Sequence, residues 1–233
     1  MTELSSMDWL SLLWFFLCWI GYNYFSRFRA KKVDRLQNML QRYIEDWIAV
    51  LHKRDVRIVD TSVIANMERN ASFLASSCLL VIAGLLTVLG STDRAINLLG
   101  ELPFVTDITR QGWELKLLML SFIYVYAFFT FTWCMRQYGF ASVLIGNAPL
   151  YNDPTVTPEQ RTMHIETLSR VVGLAVYSFN LGLRAYYFSL ALLVWFIHPL
   201  AFVVATAWVV GVLFRREFQS KTLRTLMAGR SNG

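Results

Sequence analysis

Four long stretches of the chain contain no Asp, Glu, Lys or Arg, and this feature limits the possible folds more than any other. They cover residues 9–26, 70–92, 117–135 and 185–214, which are 18, 23, 19 and 30 residues long. A helix needs about 20 consecutive apolar residues to cross the roughly 30 Å hydrocarbon core of a bilayer. The strands of a membrane β-barrel would instead alternate apolar and polar residues. The sequence therefore predicts an all-α, polytopic helical membrane protein that has the lipid bilayer as its partner.

The composition excludes the main soluble classes of protein. Hydrophobic residues make up 55% of the chain and charged residues 16%, which is typical of neither a soluble enzyme nor a disordered chain. The net charge of +6 would suggest nucleic acid in a soluble protein. In a membrane protein, basic residues retained in cytoplasmic loops explain the positive net charge more simply, so we predict no nucleic-acid partner.

The apolar stretches predict one membrane domain over residues 1–233. Its spans are placed at about 9–26, 72–90, 116–135 and 186–213. No basic residue precedes the first span and five follow it directly, so the N-terminus is expected outside and residues 27–69 inside. The aromatic residues that end this first span do not resemble a signal-peptide cleavage site, so the span is expected to be retained.

Two further segments, 34–70 and 158–183, are predicted to form cytoplasmic helices. Apolar residues from Leu36 to Leu51 recur at three- and four-residue steps, which indicates a helix with one broad apolar face. Packing of this helix on an extension of the second span is favoured over a helix on the membrane surface. Thr157, Pro158 and Gln160 form the start signal of the later helix.

The last apolar stretch leaves the side of the C-terminus open. A single span over 186–213, kinked at Pro199, places 14 basic residues inside and 8 outside. A hairpin at Pro199 gives 19 inside and 3 outside, but its two arms of about 15 residues are short for a crossing. A third possibility is a crossing from Val171 to Phe196 that buries Arg184, followed by a separate span. Four spans is the working prediction.

Several strings of residues resemble a known family across nearly the whole chain. They include WELKLLML (113–120), RQYGFASVLIGNAP (136–149) and FNLGLRAYYFSLALLVWFIHP (179–199). In order and spacing they resemble the bacterial members of domain-of-unknown-function family 599. The resemblance implies a multi-span protein of the bacterial inner membrane and transfers no activity or catalytic residue.

Polar residues at membrane depth are the candidates for function, and they are Arg184, Asn180, His198 and Arg136. A cation at this depth needs a partner, a water-filled cavity or a route to the headgroups. Arg184 either marks the membrane interface or lines, with Asn180 and Arg170, a vestibule for an anion or a lipid headgroup. His198 is expected to bond a carbonyl freed beside Pro199, with a proton relay as the alternative.

No motif in the sequence indicates a catalytic, metal or cofactor site. His52 and His164 are predicted in loops, so one chain cannot offer a second histidine to a haem beside His198. We therefore expect no cofactor and lean against an enzyme. The first hypothesis is an oligomeric channel or transporter for a small solute or ion, built by a homo-oligomer. The second is a non-conducting scaffold or accessory subunit that binds a membrane or cytoplasmic protein through its cytoplasmic helices.

Overall fold

The computed structural model describes residues 5–29, 35–93 and 109–231, and these residues form helices joined by turns and short connections. Within them lie seven α-helices: α1 (Ser6–Arg29), α2 (Leu36–Leu51), α3 (Ile58–Gly90), α4 (Arg110–Gly146), α5 (Pro158–Val194), α6 (Pro199–Phe218) and α7 (Lys221–Ser231). The predicted all-α class is thus confirmed. Most of the predicted external connector, residues 94–108, lies outside the described residues.

Three helical regions are long and apolar enough to cross a membrane: Ile58–Gly90, Arg110–Gly146 and Pro199–Arg230. At 33 residues α3 is continuous, as the absence of Pro and Gly between residues 58 and 83 predicts. The helix α4 contains the predicted span 116–135 and continues past Arg136 to Gly146. Buried Tyr138, Ala141 and Ile145 continue its packed face over these extra turns.

The predicted kink at Pro199 is a complete break between two helices. α5 runs unbroken from Pro158 through Arg184 to Val194, and α6 begins at Pro199. Proline has no backbone N–H, so it fits the first position of a helix and disrupts an interior. The arms of this hairpin are 37 and 20 residues long rather than about 15, since the first arm extends back through Arg184.

The chain divides into two compact units, to which α3, α4 and α5 each contribute. Unit 1 comprises Met1–Val33, Ser77–Ala127 and Leu183–Gln219. Its core is largely aromatic: Phe15 is fully buried and its ring lies 5.7 Å from Phe188 and 5.3 Å from Phe202. Its outer surface is apolar as well, with Leu17 and Ile20 more than 60% exposed.

Unit 2 comprises Asp34–Ser76, Phe128–Gly182 and Ser220–Gly233. One face of α2 enters its core, where Ile44, Ile48 and Leu51 lie among residues of α3, α4 and α5. Burial of each such side chain contributes about 1.5–3 kcal/mol to folding. The apolar face of α2 is therefore packed inside the chain, as the favoured prediction had it. The predicted start of α5 is also confirmed, since the Thr157 and Gln160 side chains each accept the other residue's backbone N–H.

Candidate functional site

Arg184 is buried in unit 1 and fully engaged by polar partners from α1 and α6. Its Nη2 atom donates to Oε2 of Glu217 over 2.8 Å, and the two side chains are 7% and 12% exposed. Its Nη1 atom donates to Oδ1 of Asn23 and to Oγ of Ser26, each over 3.0 Å. The guanidinium also lies 5.2 Å from the centre of the Tyr22 ring, whose hydroxyl donates to Glu217. We call these five residues the arginine cluster.

The cluster satisfies the conditions that make a buried charge tolerable. Removing an ion from water costs several kcal/mol, and its partner offsets this only with good geometry and further hydrogen bonds. Arg184 has one carboxylate, two neutral acceptors and an aromatic face. Because arginine does not deprotonate in proteins, the cluster is a fixed ion pair that ties α5 to α1 and α6.

A second charged group lies towards the other end of α1. Asp8 accepts from the Trp195 indole over 2.8 Å and lies 3.9 Å from Nζ of Lys116. Lys116 donates over 3.0 Å to the Trp195 carbonyl, a group left without a helical partner where α5 ends. From Asp8 to Asn23 the rise along α1 is about 22 Å, most of the thickness of a hydrocarbon core.

Aromatic rings fill the space between the two charged groups. Trp19 packs on Phe188, while Phe15 and Trp195 both pack on Phe202. Phe15, Phe188, Phe202 and Trp195 are fully buried. An ion or polar solute moving between the charged groups along this core would have to displace this aromatic layer.

Two of the four predicted residues, Arg184 and His198, belong to unit 1 but make different contacts. Arg184 lies in the arginine cluster, whereas His198 precedes α6 and its Nδ1 atom accepts the backbone N–H of Leu200 over 3.1 Å. It thus caps a helix start and does not bond a freed carbonyl. Asn180 and Arg136 belong to unit 2, where Arg136 is exposed and lies 5.7 Å from the Phe140 ring.

Unit 2 pairs two histidines that were predicted to lie in loops. His52 caps the end of α2 and is 1% exposed, and His164 lies in the second turn of α5. His52 Nε2 lies 2.9 Å from His164 Nδ1, and His52 Nδ1 lies 2.9 Å from the Ile48 carbonyl oxygen. A carbonyl only accepts, so His52 Nδ1 carries a proton, and in the neutral pair His164 Nδ1 donates to His52 Nε2.

This pair can hold one additional proton but not two. The next proton goes to His164 Nε2, which is buried without a hydrogen-bond partner among the described residues. A second additional proton would leave both facing nitrogen atoms, His52 Nε2 and His164 Nδ1, protonated, and the hydrogen bond between them would be lost. Burial lowers the pKa of both rings below the ordinary 6.5; nearby Arg57 and Arg161 also lower that of His52, and His52 lowers that of His164. The pair is therefore neutral at pH 7.

Three segments of unit 2 that are joined by hydrogen bonds carry exposed apolar side chains. Arg57, just before α3, donates to the carbonyls of Ala148 and Pro149, and Arg161 of α5 donates to that of Leu150. These bonds join the segments that present the set we call the apolar patch: Val56, Ile58, Val59, Leu150, Tyr151 and Met163. Its members are between 52% and 71% exposed.

Sequence reasoning missed the partners of Arg184 and the histidine pair. One signal was present for Glu217, which is the only acidic residue among the basic residues of 215–233. Nothing local marks the histidines, because they lie 112 residues apart in the chain. No group of three or more potential metal ligands occurs among the described residues.

Comparison with known proteins identifies a family for most of the chain. A family model described as a protein of unknown function, DUF599, matches residues 10–222. No curated protein and no solved structure matches the chain.

Proposed function

Because this chain belongs to the family of proteins of unknown function DUF599, a membership that brings no activity with it, we propose a function from the arrangement of its residues. The proposal is a non-conducting scaffold of the bacterial inner membrane that binds a protein partner through the apolar patch. The bulk of unit 1 lies in the bilayer, and the apolar patch lies in the cytoplasm.

The membrane placement has one more crossing than the four predicted. α1, α3, α4 and α6 cross, and the second half of α5 crosses as the first arm of the α5–α6 hairpin. The exposed apolar residues on α1 support this, as do Leu190 and Leu193 on α5, which are 55% and 46% exposed. The N-terminus then lies outside and the tail inside, with 19 basic residues inside and 3 outside.

The apolar patch carries the scaffold proposal. Contiguous exposed apolar groups on a water-facing surface mark sites of protein association. The predicted cytoplasmic helix α2 does not offer its apolar face to a partner, because that face is packed in the core of unit 2. A channel or transporter is less well supported, since the aromatic layer fills unit 1. A conducting path would require several copies of the chain.

Photocrosslinking in cells tests the scaffold. A photoreactive residue in place of Met163 in the full chain should yield a discrete adduct, whereas one in place of Met227, 41% exposed on α7, should not. Mass spectrometry of the adduct separates a different protein from a second copy, and Val59→Asp should abolish it. A patch that yields only lipid adducts or none contradicts the scaffold.

A flux measurement tests the competing function. Proteoliposomes containing the purified chain should release K⁺, Cl⁻ and protons no faster than protein-free vesicles. Flux well above that of the empty vesicles would overturn the non-conducting proposal. Flux retained by Arg184→Gln would in addition remove Arg184 from any transport path.

A further inference from the structure

A groove on the outer surface of unit 1 has an apolar wall and a cationic side chain at one end. The groove is a cavity of about 300 Å³ between α5 and α6. Tyr187, Leu190, Ala191, Ala205, Trp208, Val209 and Val212 line it. Leu190 and Trp208 are 55% and 74% exposed, so the groove opens away from the core of the unit. Its volume is at the lower end of the range for small-molecule sites.

One end of the groove carries a positive charge beside a hydroxyl group. Arg216 follows the lining residue Val212 by one helical turn and is exposed. Its Nη1 atom donates to the hydroxyl of Tyr187, another lining residue, and its guanidinium lies 5.4 Å from the Tyr187 ring. The Tyr187 hydroxyl accepts this bond, so its own proton can be donated to an anion, and further guanidinium N–H groups of Arg216 can do the same.

We propose that this groove is a binding site for an anionic phospholipid. One acyl chain lies along the apolar wall, and a phosphate oxygen accepts hydrogen bonds from Arg216 and Tyr187. The apolar lining suits a hydrocarbon chain, and guanidinium groups bind phosphate through paired, charge-assisted hydrogen bonds. Basic residues at the cytoplasmic ends of spans are also where anionic lipid headgroups lie. The inference rests on the membrane placement proposed above but not on the protein partner.

Native mass spectrometry of the full chain in detergent tests the site. The probes are phosphatidylglycerol and phosphatidylcholine with identical acyl chains, titrated separately. The wild type should bind one phosphatidylglycerol about tenfold more tightly than phosphatidylcholine, as expected for a single charge-assisted contact. Arg216→Gln should remove most of this preference, and Tyr187→Phe part of it. Ala205→Trp, which fills the groove, should weaken binding of both lipids.

Arg215→Gln is the matched control. Arg215 is exposed on the same turn of α6 but belongs to neither the groove nor the Tyr187 contact. The substitution should leave the preference unchanged. Equal losses in Arg215→Gln and Arg216→Gln, equal binding of the two lipids by the wild type, or unchanged binding by Ala205→Trp would each overturn the site. Flotation of the wild type and Arg216→Gln with vesicles separates this outcome from failure of the membrane placement, in which neither would float.

Discussion

Arg184 and Glu217 illustrate how a single residue in an apolar bundle depends on partners far away in the chain. Glu217→Gln keeps an acceptor for Tyr22 but leaves the charge of Arg184 buried without a counter-ion. Breaking a buried pair in this way costs about 3–5 kcal/mol. We expect the midpoint of thermal unfolding in detergent, measured by circular dichroism, to fall accordingly.

An exposed ion pair provides the control for this substitution. Arg110 binds Asp93 and Glu114, with its side chain 62% exposed. Because water screens such pairs, Arg110→Gln should lower the midpoint of unfolding far less than Glu217→Gln. No unpaired ion remains in the double variant Arg184→Met/Glu217→Leu. Its loss of unfolding free energy should therefore be smaller than the sum of the losses in the two single variants. Equal effects of Glu217→Gln and Arg110→Gln would contradict the buried pair.

Also at the residue scale, the histidine pair predicts that the stability of the protein depends on pH. The pKa of both His52 and His164 is below the ordinary 6.5, so the unfolded chain binds more protons than the folded one just below that pH. The free energy of unfolding should therefore fall as the pH drops from about 6.5 through the folded-state pKa values. Protection factors of the α2 amides, in which the slower intrinsic exchange at lower pH is divided out, should fall over this window.

Two substitutions separate the pair from other titrating groups. His164→Asn removes one ring and should flatten the fall of the α2 protection factors between pH 7 and pH 5. His198→Asn, which retains an acceptor suited to a helix start, should leave it unchanged. An identical pH profile in the wild type and His164→Asn would show that the pair does not titrate as described.

At the scale of elements, the close approach of α4 and α5 in unit 2 depends on a glycine. A Cβ added at Gly182 would lie 2.6 Å from the Phe131 ring, which is fully buried and packed against Phe179. This ring has little room to move, so Gly182→Ala should destabilise the protein by about 1–2 kcal/mol through overpacking. Thermal unfolding of the full chain measures the difference.

Gly173 on the same helix is the matched position for this comparison. A Cβ there would meet the end of the Gln41 side chain, with Oε1 at 2.0 Å. Gln41 is long and can turn away, at the cost of its hydrogen bond to the Ser169 carbonyl. Alanine also favours a helix over glycine by up to about 1 kcal/mol. Gly173→Ala should therefore be close to neutral, and a greater loss there than at Gly182 would contradict this packing.

The elements also show which structural features a sequence can predict. The start of α5 follows from Thr157, Pro158 and Gln160, because a helix cap depends on neighbours within one turn. The end of α4 cannot be predicted in this way, because Arg136 and Gly139 permit either a helix or a loop. Packing decides between the two. The partners of Arg184 lie 161, 158 and 33 residues away, so local patterns can show that it needs a partner but cannot identify one.

At the scale of the whole molecule, the break at Pro199 decides on which side of the membrane the chain ends. One kinked helix over 186–213 would bring the C-terminus outside after an outside start. In the proposed membrane placement, the α5–α6 hairpin adds a crossing and returns the tail to the cytoplasm. The basic residues of 215–233 then follow the charge bias of the other internal segments.

Reporter fusions to the full chain and to a truncated chain test this arrangement. A fluorescent protein that folds only in the cytoplasm should be bright when fused after Gly233, and a phosphatase that is active only outside should be inactive there. Fusions after Ile197, within the α5–α6 turn, should give the opposite pair of results, because the α6 crossing is then missing. Phosphatase activity at Gly233 with a bright fluorescent fusion after Ile197 would contradict this placement. That reversed pair of results would arise if α5 were cytoplasmic with Arg184 at its membrane edge, or if α1 started inside and the same five crossings followed.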